Sequence, residues 1–320
     1  MNWFQKRGVK LYTQDDQRVF PTTDDSQTII DCFLREVRKK HIHLRLSHDV
    51  VAINKTAKGF KLEFKKDEIR SELFDKVIIA SGGSPKRSGL EWLEGMGHKI
   101  VDPVPSLFTF NMPKEPIKEL MGVVAPNAKV KIVGSKLESD GPVLITHWGM
   151  SGPAILRLSA FGARMLYEKE YTFEVLLNWV NVKAQEEIKE RLMQLSADFP
   201  NKMIQNKKPY PLPERLWRYL IDRIGIPNDK KWDELGKKGI NKLVNILSHD
   251  VYHVRGKTTF KEEFVTCGGV SLESINMETM ESRSMQGLYF CGEVLDIDGV
   301  TGGYNFQAAW TTAFIASKIQ

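Results

Sequence analysis

Glu293, Asp296 and Asp298 fall within six residues, and a glycine pair, Gly302-Gly303, follows closely. Ahead of them Leu288–Cys291 is short, apolar and aromatic, and reads as a buried strand ended by Gly292. Behind them Thr301-Gly302-Gly303-Tyr304-Asn305 opens a helix. Carboxylates at a strand end accept hydrogen bonds from hydroxyls. Glycines let backbone approach a ligand closely. The first turn of a helix leaves amide donors unpaired at the positive end of its dipole. Together these suit a cofactor with a polyhydroxylated chain and electron-rich oxygens, as a ribityl phosphate has. The same pattern also suits an ordinary strand–turn–helix with a glycine bend.

Two other stretches repeat the strand-then-glycine design. Lys76–Ala80 ends in Ser81-Gly82-Gly83-Ser84-Pro85, and Phe264–Val270 carries Gly268-Gly269. His147, beside Trp148-Gly149, is a candidate substrate-side acid or base, or a structural histidine at a domain crossing. Ser151 reads as a helix cap; without a GxSxG elbow, a Ser–His–Asp triad is set aside. Arg18 suits a cofactor contact or a surface ion pair. No metal site is read. The three cysteines, Cys32, Cys267 and Cys291, are far apart in apolar settings and read as reduced core residues.

The elements that must hold these groups alternate in type. Asp24 or Asp25 caps a helix over 27–40, with Ile29, Ile30, Phe33, Leu34 and Val37 at helical spacing, and 42–46 follows as a strand. From Asp49 to Leu73 short alternating runs predict an antiparallel meander. Five prolines between Pro103 and Pro126 mark a domain crossing. Helices are predicted over 153–166, 185–195, 214–224 and 237–248. The last helix has one apolar face, Phe306, Ala309, Trp310, Ala313 and Phe314, with Phe306 and Trp310 read as core. The strands over 76–80 and 288–291 are expected to be buried and parallel, with ligands at their carboxyl ends. The fold class is therefore α/β and discontinuous: residues 1–105 and 263–320 form one domain, and 106–262 are inserted.

The chain has 320 residues, 42% hydrophobic and 27% charged, enough for two domains with ample cores. The net charge of +6 is concentrated. Residues 201–260 hold thirteen Lys or Arg against six Asp or Glu. Tyr210, Trp217, Tyr219 and Trp232 are interleaved there, so a nucleic-acid surface competes with the plainer reading of solvated helix faces. No run of about 18 apolar residues predicts a membrane span, and no secretory signal is read at the N-terminus. The expected location is the cytoplasm.

Five strings in order resemble the YhiN/BaiN-like (HI0933-like) flavoprotein family: RVFPTTDDSQTIID, KVIIASGG, THWGMSGPAILRLS, FVTCGGVSLESIN and GLYFCGEVLDIDGVTGGYNFQAAWTTA. The resemblance implies an incomplete glutathione-reductase-like FAD-binding domain, a parallel sheet plus an antiparallel meander, with a large inserted α+β domain. It implies a flavin-dependent oxidoreductase using FAD, with NAD(P)H as candidate electron donor and a small-molecule substrate. Ser81, Gly82 and Gly83 would lie near the cofactor pyrophosphate. Gly292 and Glu293, with Asp296 as second choice, would meet the ribityl chain. Gly302, Gly303, Tyr304 and Asn305 would present N–H groups to the flavin pyrimidine edge. The family's GxGxxG element does not occur in the chain. The expectation is weak or absent FAD binding by this chain alone, with a separate chain supplying that unit. The alternatives are a truncated, non-catalytic remnant and a basic nucleic-acid-binding module.

Overall fold

The computed structural model describes residues 1–15, 17–65, 69–258, 265–300 and 302–318. Thr301, Phe264 and the expected boundary at 262/263 lie outside them. Helix α1 (Asn2–Gln5) leads through Gly8 to the hairpin β1 (Leu11–Thr13) and β2 (Val19–Pro21), then α2 (Gln27–Lys39). The meander β3 (Asp49–Thr56), β4 (Gly59–Lys65) and β5 (Ile69–Phe74) precedes β6 (Val77–Ile79), α3 (Glu91–Gly95) and β7 (Ile100–Ser106). The middle of the chain holds β8 (Thr109–Asn111), β9 (Val124–Ile132), β10 (Glu138–Ile145), β11 (Gly149–Ser151), α4 (Pro153–Phe161), α5 (Ala163–Glu168) and β12 (Thr172–Asn178). It continues with α6 (Gln185–Asp198), α7 (Glu214–Arg223), α8 (Gly236–Ser248), β13 (Asp250–Arg255) and β14 (Lys257–Thr258). The chain returns through β15 (Val265–Val270), β16 (Ile275–Asn276), β17 (Glu281–Ser282), β18 (Leu288–Phe290) and α9 (Tyr304–Ala316).

Two large apolar clusters organise these elements. The middle cluster lies against a seven-stranded antiparallel sheet in the order β13-β12-β9-β10-β11-β8-β14. Helices α6, α7 and α8 add Ile188, Leu192, Leu216, Leu220, Leu243 and Leu247, each at three- or four-residue spacing within its helix. Trp179, Trp217 and Trp232 are wholly buried there. Trp217 and Trp232 therefore have no face to offer a nucleobase, and the aromatic interleaving of the basic stretch is core packing.

The second cluster joins the outer segments. β18 lies parallel to β6, pairing Leu288 with Val77 and Phe290 with Ile79, in a four-stranded sheet ordered β16-β17-β18-β6. Phe60 and Leu62 of the meander pack into the same cluster with Leu288, Phe290, Val294 and Leu295. His98 is buried beside it. Its Nδ1–H donates to Leu93 O at 3.1 Å, and its Nε2 accepts from Ser282 Oγ at 2.7 Å. Burial holds its pKa below the ordinary 6.5. The antiparallel pair β7–β15 carries the chain from one cluster to the other and back.

Four local expectations change. Residues 42–46 are not a strand; Ile42, Leu44 and Leu46 are exposed, and no described strand pairs with them. Pro103 and Pro105 lie inside β7 and Pro126 inside β9, so the proline-rich stretch is partly strand. Ser151 is not a helix cap. It ends β11, accepts from Thr109 Oγ1 at 3.0 Å, and leaves Gly152 (φ +93°) as the N-cap of α4. Phe306 and Trp310 are not core: they are 67% and 41% exposed, and the buried side of α9 is Thr312 and Ala316.

Candidate functional site

The parallel strands β6 and β18 deliver two glycine turns side by side. Gly82 (φ +77°) and Gly292 (φ +78°) both sit in the left-handed region, where side chains other than glycine are strained. The Gly292 N–H donates to Thr312 Oγ1 at 2.9 Å, which ties the β18 turn to the buried side of α9. Glu293 then faces Gly83: a Cβ added at Gly83 would stand 3.2 Å from the Glu293 Cγ and Cδ, and 3.1 Å from Thr266 Oγ1. The Thr266 N–H donates to Glu293 Oε1 at 3.1 Å. Three separate strands thus bring Gly83, Glu293 and Thr266 to one point.

The start of α9 supplies the second part. Gly303 (φ +89°) is the N-cap, with open space where a side chain would stand. The first-turn amides of a helix have no acceptor within it, and no acidic side chain occupies the first turn. Asn305 holds the preceding loop. Its Oδ1 accepts from Gly299 N at 2.7 Å, and its Nδ2 donates to Gly299 O at 3.1 Å. The predicted contribution of Asn305 was its backbone; its side chain is the loop's clamp. Arg18 approaches the same turn, its Cδ 3.8 Å from the place of a Cβ on Gly302. Tyr304 is exposed beside it, and Ser81 is exposed at the end of β6.

Asp296 turns toward the seam between the two clusters. Its Oδ1 lies 3.7 Å from Arg164 Nη2, and Arg164 Nη1 donates to Asp102 O at 3.1 Å. Burial raises the Asp296 pKa above the ordinary carboxylate value; Arg164 opposes that shift and the Asp298 charge adds to it. Asp298 accepts from Ser106 Oγ at 2.9 Å. Burial, followed by the neighbouring Asp298 charge, pushes the Cys267 thiol up to about 11, so it is no nucleophile at neutral pH. His147 lies on the exposed turn between β10 and β11, its ring 4.3 Å from that of Trp148. Its described contacts do not join it to Glu293 or Gly303. Two cavities, about 340 Å³ beside Arg223 and His249 and about 520 Å³ beside Arg7 and Arg38, lie apart from these groups.

Thr266 and Arg164 were not singled out by type or spacing. Thr266 sits in the quoted string FVTCGGV, but its role depends on a strand register. Arg164 is one of many surface-type arginines until α5 places it at the seam.

Glycine turns at the ends of parallel strands, a carboxylate beside them and an open helix start define a Rossmann-like α/β ligand site. The HI0933-like protein Rossmann domain family matches residues 1–319, and the chain belongs to that family. It is similar to the ribosomal RNA dihydrouridine synthase of Escherichia coli strain K12, with 28% identity over 322 residues covering 98% of this chain and 76% of that protein. The Haemophilus influenzae ribosomal RNA dihydrouridine synthase is 26% identical over 97% of this chain and 76% of its own length. The 3-dehydro-bile acid delta(4,6)-reductase of Clostridium scindens is 25% identical over 94% of this chain and 74% of its own length.

Proposed function

We propose that this chain carries the flavin side of a flavin-dependent reductase acting on an activated carbon–carbon double bond. The meeting of Gly83, Glu293 and Thr266 beside the open start of α9 carries the reading. The residues fit the group: a buried hydroxyl on Thr266 with no partner among the described residues and a carboxylate suit a ribityl chain, and the amides of Gly303 to Asn305 suit an electron-rich ring edge. A bound flavin would supply the hydride chemistry. Glu293 would orient the polyol, the α9 dipole would stabilise negative charge at the ring, and Asp296 would steady the seam through Arg164. Gly82 and Gly292 would keep side chains out of the cofactor's way, with Ser81 beside them near the pyrophosphate. His147 is the proposed proton source on the substrate side, and NAD(P)H the proposed reductant. The outer segments would be a glutathione-reductase-like FAD domain, with 106–262 inserted and the protein working in the cytoplasm.

The activities named for the relatives share one chemistry. Dihydrouridine is uridine with its ring double bond saturated, and a delta(4,6)-reductase saturates ring double bonds. An RNA uridine is a second substrate reading beside a small molecule. It is favoured by Lys202, Arg215, Arg218, Lys237 and Lys238, all exposed on the basic stretch. The test titrates the purified chain with FAD and riboflavin by fluorescence quenching. Weak saturable binding is expected, and Glu293→Gln should lower affinity about tenfold, as for a hydrogen bond to a charged group. No binding by ~1 mM flavin would remove the reading. Reduced, loaded protein is then mixed with a 4-ene-3-oxo steroid or a uridine-containing ribosomal RNA fragment; whichever reoxidises the flavin names the substrate class.

The partner we propose is a strand–helix unit. β6 is paired with β18 on one side and with no described strand on the other, and Ile78 at its centre is 41% exposed. Such an edge accepts a further strand. Supplying the part of the Escherichia coli relative outside the match as a separate polypeptide should raise flavin affinity at least about tenfold. Unchanged affinity would end the partner proposal while leaving the flavin reading in place.

A further inference from the structure

We infer that Thr266 Oγ1 is a second hydroxyl-recognition group of the site, acting with Glu293 on the polyol chain of the ligand. The inference rests on the flavin reading above and adds a residue to it. Thr266 is 1% exposed, yet its Oγ1 has no hydrogen-bond partner among the described residues. A buried hydroxyl in that state destabilises the fold, and valine would fill the same shape without that defect. The hydroxyl nonetheless stands at the one point where three strands converge.

The backbone around it is arranged to leave it free. Thr266 lies opposite Pro105 in the β15–β7 pair, and its N–H donates to Glu293 Oε1. That bond fixes the carboxylate beside the hydroxyl, and Glu293 Oε2 keeps no partner among the described residues. The facing wall is Gly83, where a methyl would come within 3.1 Å of the hydroxyl and 3.2 Å of the carboxylate carbons. Gly83 is itself exposed, and the Thr266 hydroxyl and the Glu293 carboxylate lie beneath it in a polar notch that Gly83 covers. A carboxylate oxygen that only accepts, beside a hydroxyl that donates or accepts, matches the vicinal hydroxyls of a polyol. The face of an aromatic ring has no hydroxyl to offer that pair.

The experiment compares lumiflavin, which has no polyol, with riboflavin and FAD, which have one. Affinities are read by flavin fluorescence on wild type, Thr266→Val, Thr266→Ser and Gly83→Ala, with the thermal midpoint read in parallel. Thr266→Val should bind riboflavin and FAD about 3- to 10-fold more weakly, bind lumiflavin as wild type does, and melt no lower. Thr266→Ser should stay close to wild type. If Thr266→Val fails to fold, Gly83→Ala carries the test, since its methyl fills the notch and should weaken riboflavin but not lumiflavin. Unchanged riboflavin affinity in Thr266→Val overturns the inference, and so does equal weakening of lumiflavin and riboflavin. Absence of riboflavin and FAD binding by wild type overturns the flavin reading itself, and the inference with it.

Discussion

Asn305 and His98 show how single side chains hold the loops around the site. Asn305 makes both of its amide hydrogen bonds to one residue, Gly299, and so closes the loop that follows Glu293. Asn305→Ala should cost about 1–2 kcal/mol and expose 297–303 to proteolysis, measured by denaturant unfolding and limited digestion. His98 is buried and neutral between Leu93 O and Ser282 Oγ. Its folded pKa lies below 6.5, so the unfolded chain binds more protons between that lowered value and 6.5. Stability is therefore fully present above pH 6.5 and declines as pH falls through that window. Urea unfolding from pH 7.5 to 5 should show the decline, with a smaller slope in His98→Gln; equal slopes would count against it. At this scale Glu293 was legible because type, spacing and strand-end position all point the same way. Thr266 was not, since a threonine in an apolar run is ordinary until Glu293 and Gly83, from two other strand ends, meet it.

Among elements, β15 is the most constrained. Its register against β7 shifts between Cys267 and Gly269, so that Asp102 and Pro103 stand opposite Gly268. A bulge there lets proline sit where no ladder N–H is needed. Gly269 (φ +143°) lies against the turn after β18, and a Cβ would come within 2.6 Å of Val294 O and 2.8 Å of Leu295 C. Both obstacles are backbone, so neither can swing aside. Gly269→Ala should lose about 2–4 kcal/mol, read from the denaturation midpoint, and should weaken any ligand held by Glu293. The meander, α2, α6, α7 and α8 were legible from periodicity, although α2 buries only Cys32 and leaves Ile30 and Phe33 of its apolar face exposed. The three-residue strands β8 and β11 were not. β8 pairs with strands far along the chain, β11 and β14, and a GMS or TFN triplet carries no period of its own. Prolines suggested a linker where β7 and β9 are strands, because edge and bulge positions tolerate them.

For the molecule as a whole, the sum of exposed apolar groups matters most. Tyr304, Phe306, Trp310 and Phe314 leave exposed apolar groups along α9, and Ile78 is exposed on β6. Phe306→Ser combined with Phe314→Ser should reduce binding of a hydrophobic dye by more than about half and shift stability by no more than ~0.5 kcal/mol. A large loss of stability would mean that the face is already packed. The parallel β6–β18 pair was legible from two strand-then-glycine boundaries, whereas the exposure of α9 was not: its one apolar face, Phe306, Ala309, Trp310, Ala313 and Phe314, reads as buried. In the β7–β15 pair Val265 stands opposite Ser106. Partners in an antiparallel pair are about 5 Å apart, so the chain leaves for the middle cluster and comes back at almost one point. The stretch between them thus leaves and rejoins through a two-stranded stem, and Thr266 sits on the returning strand of that stem.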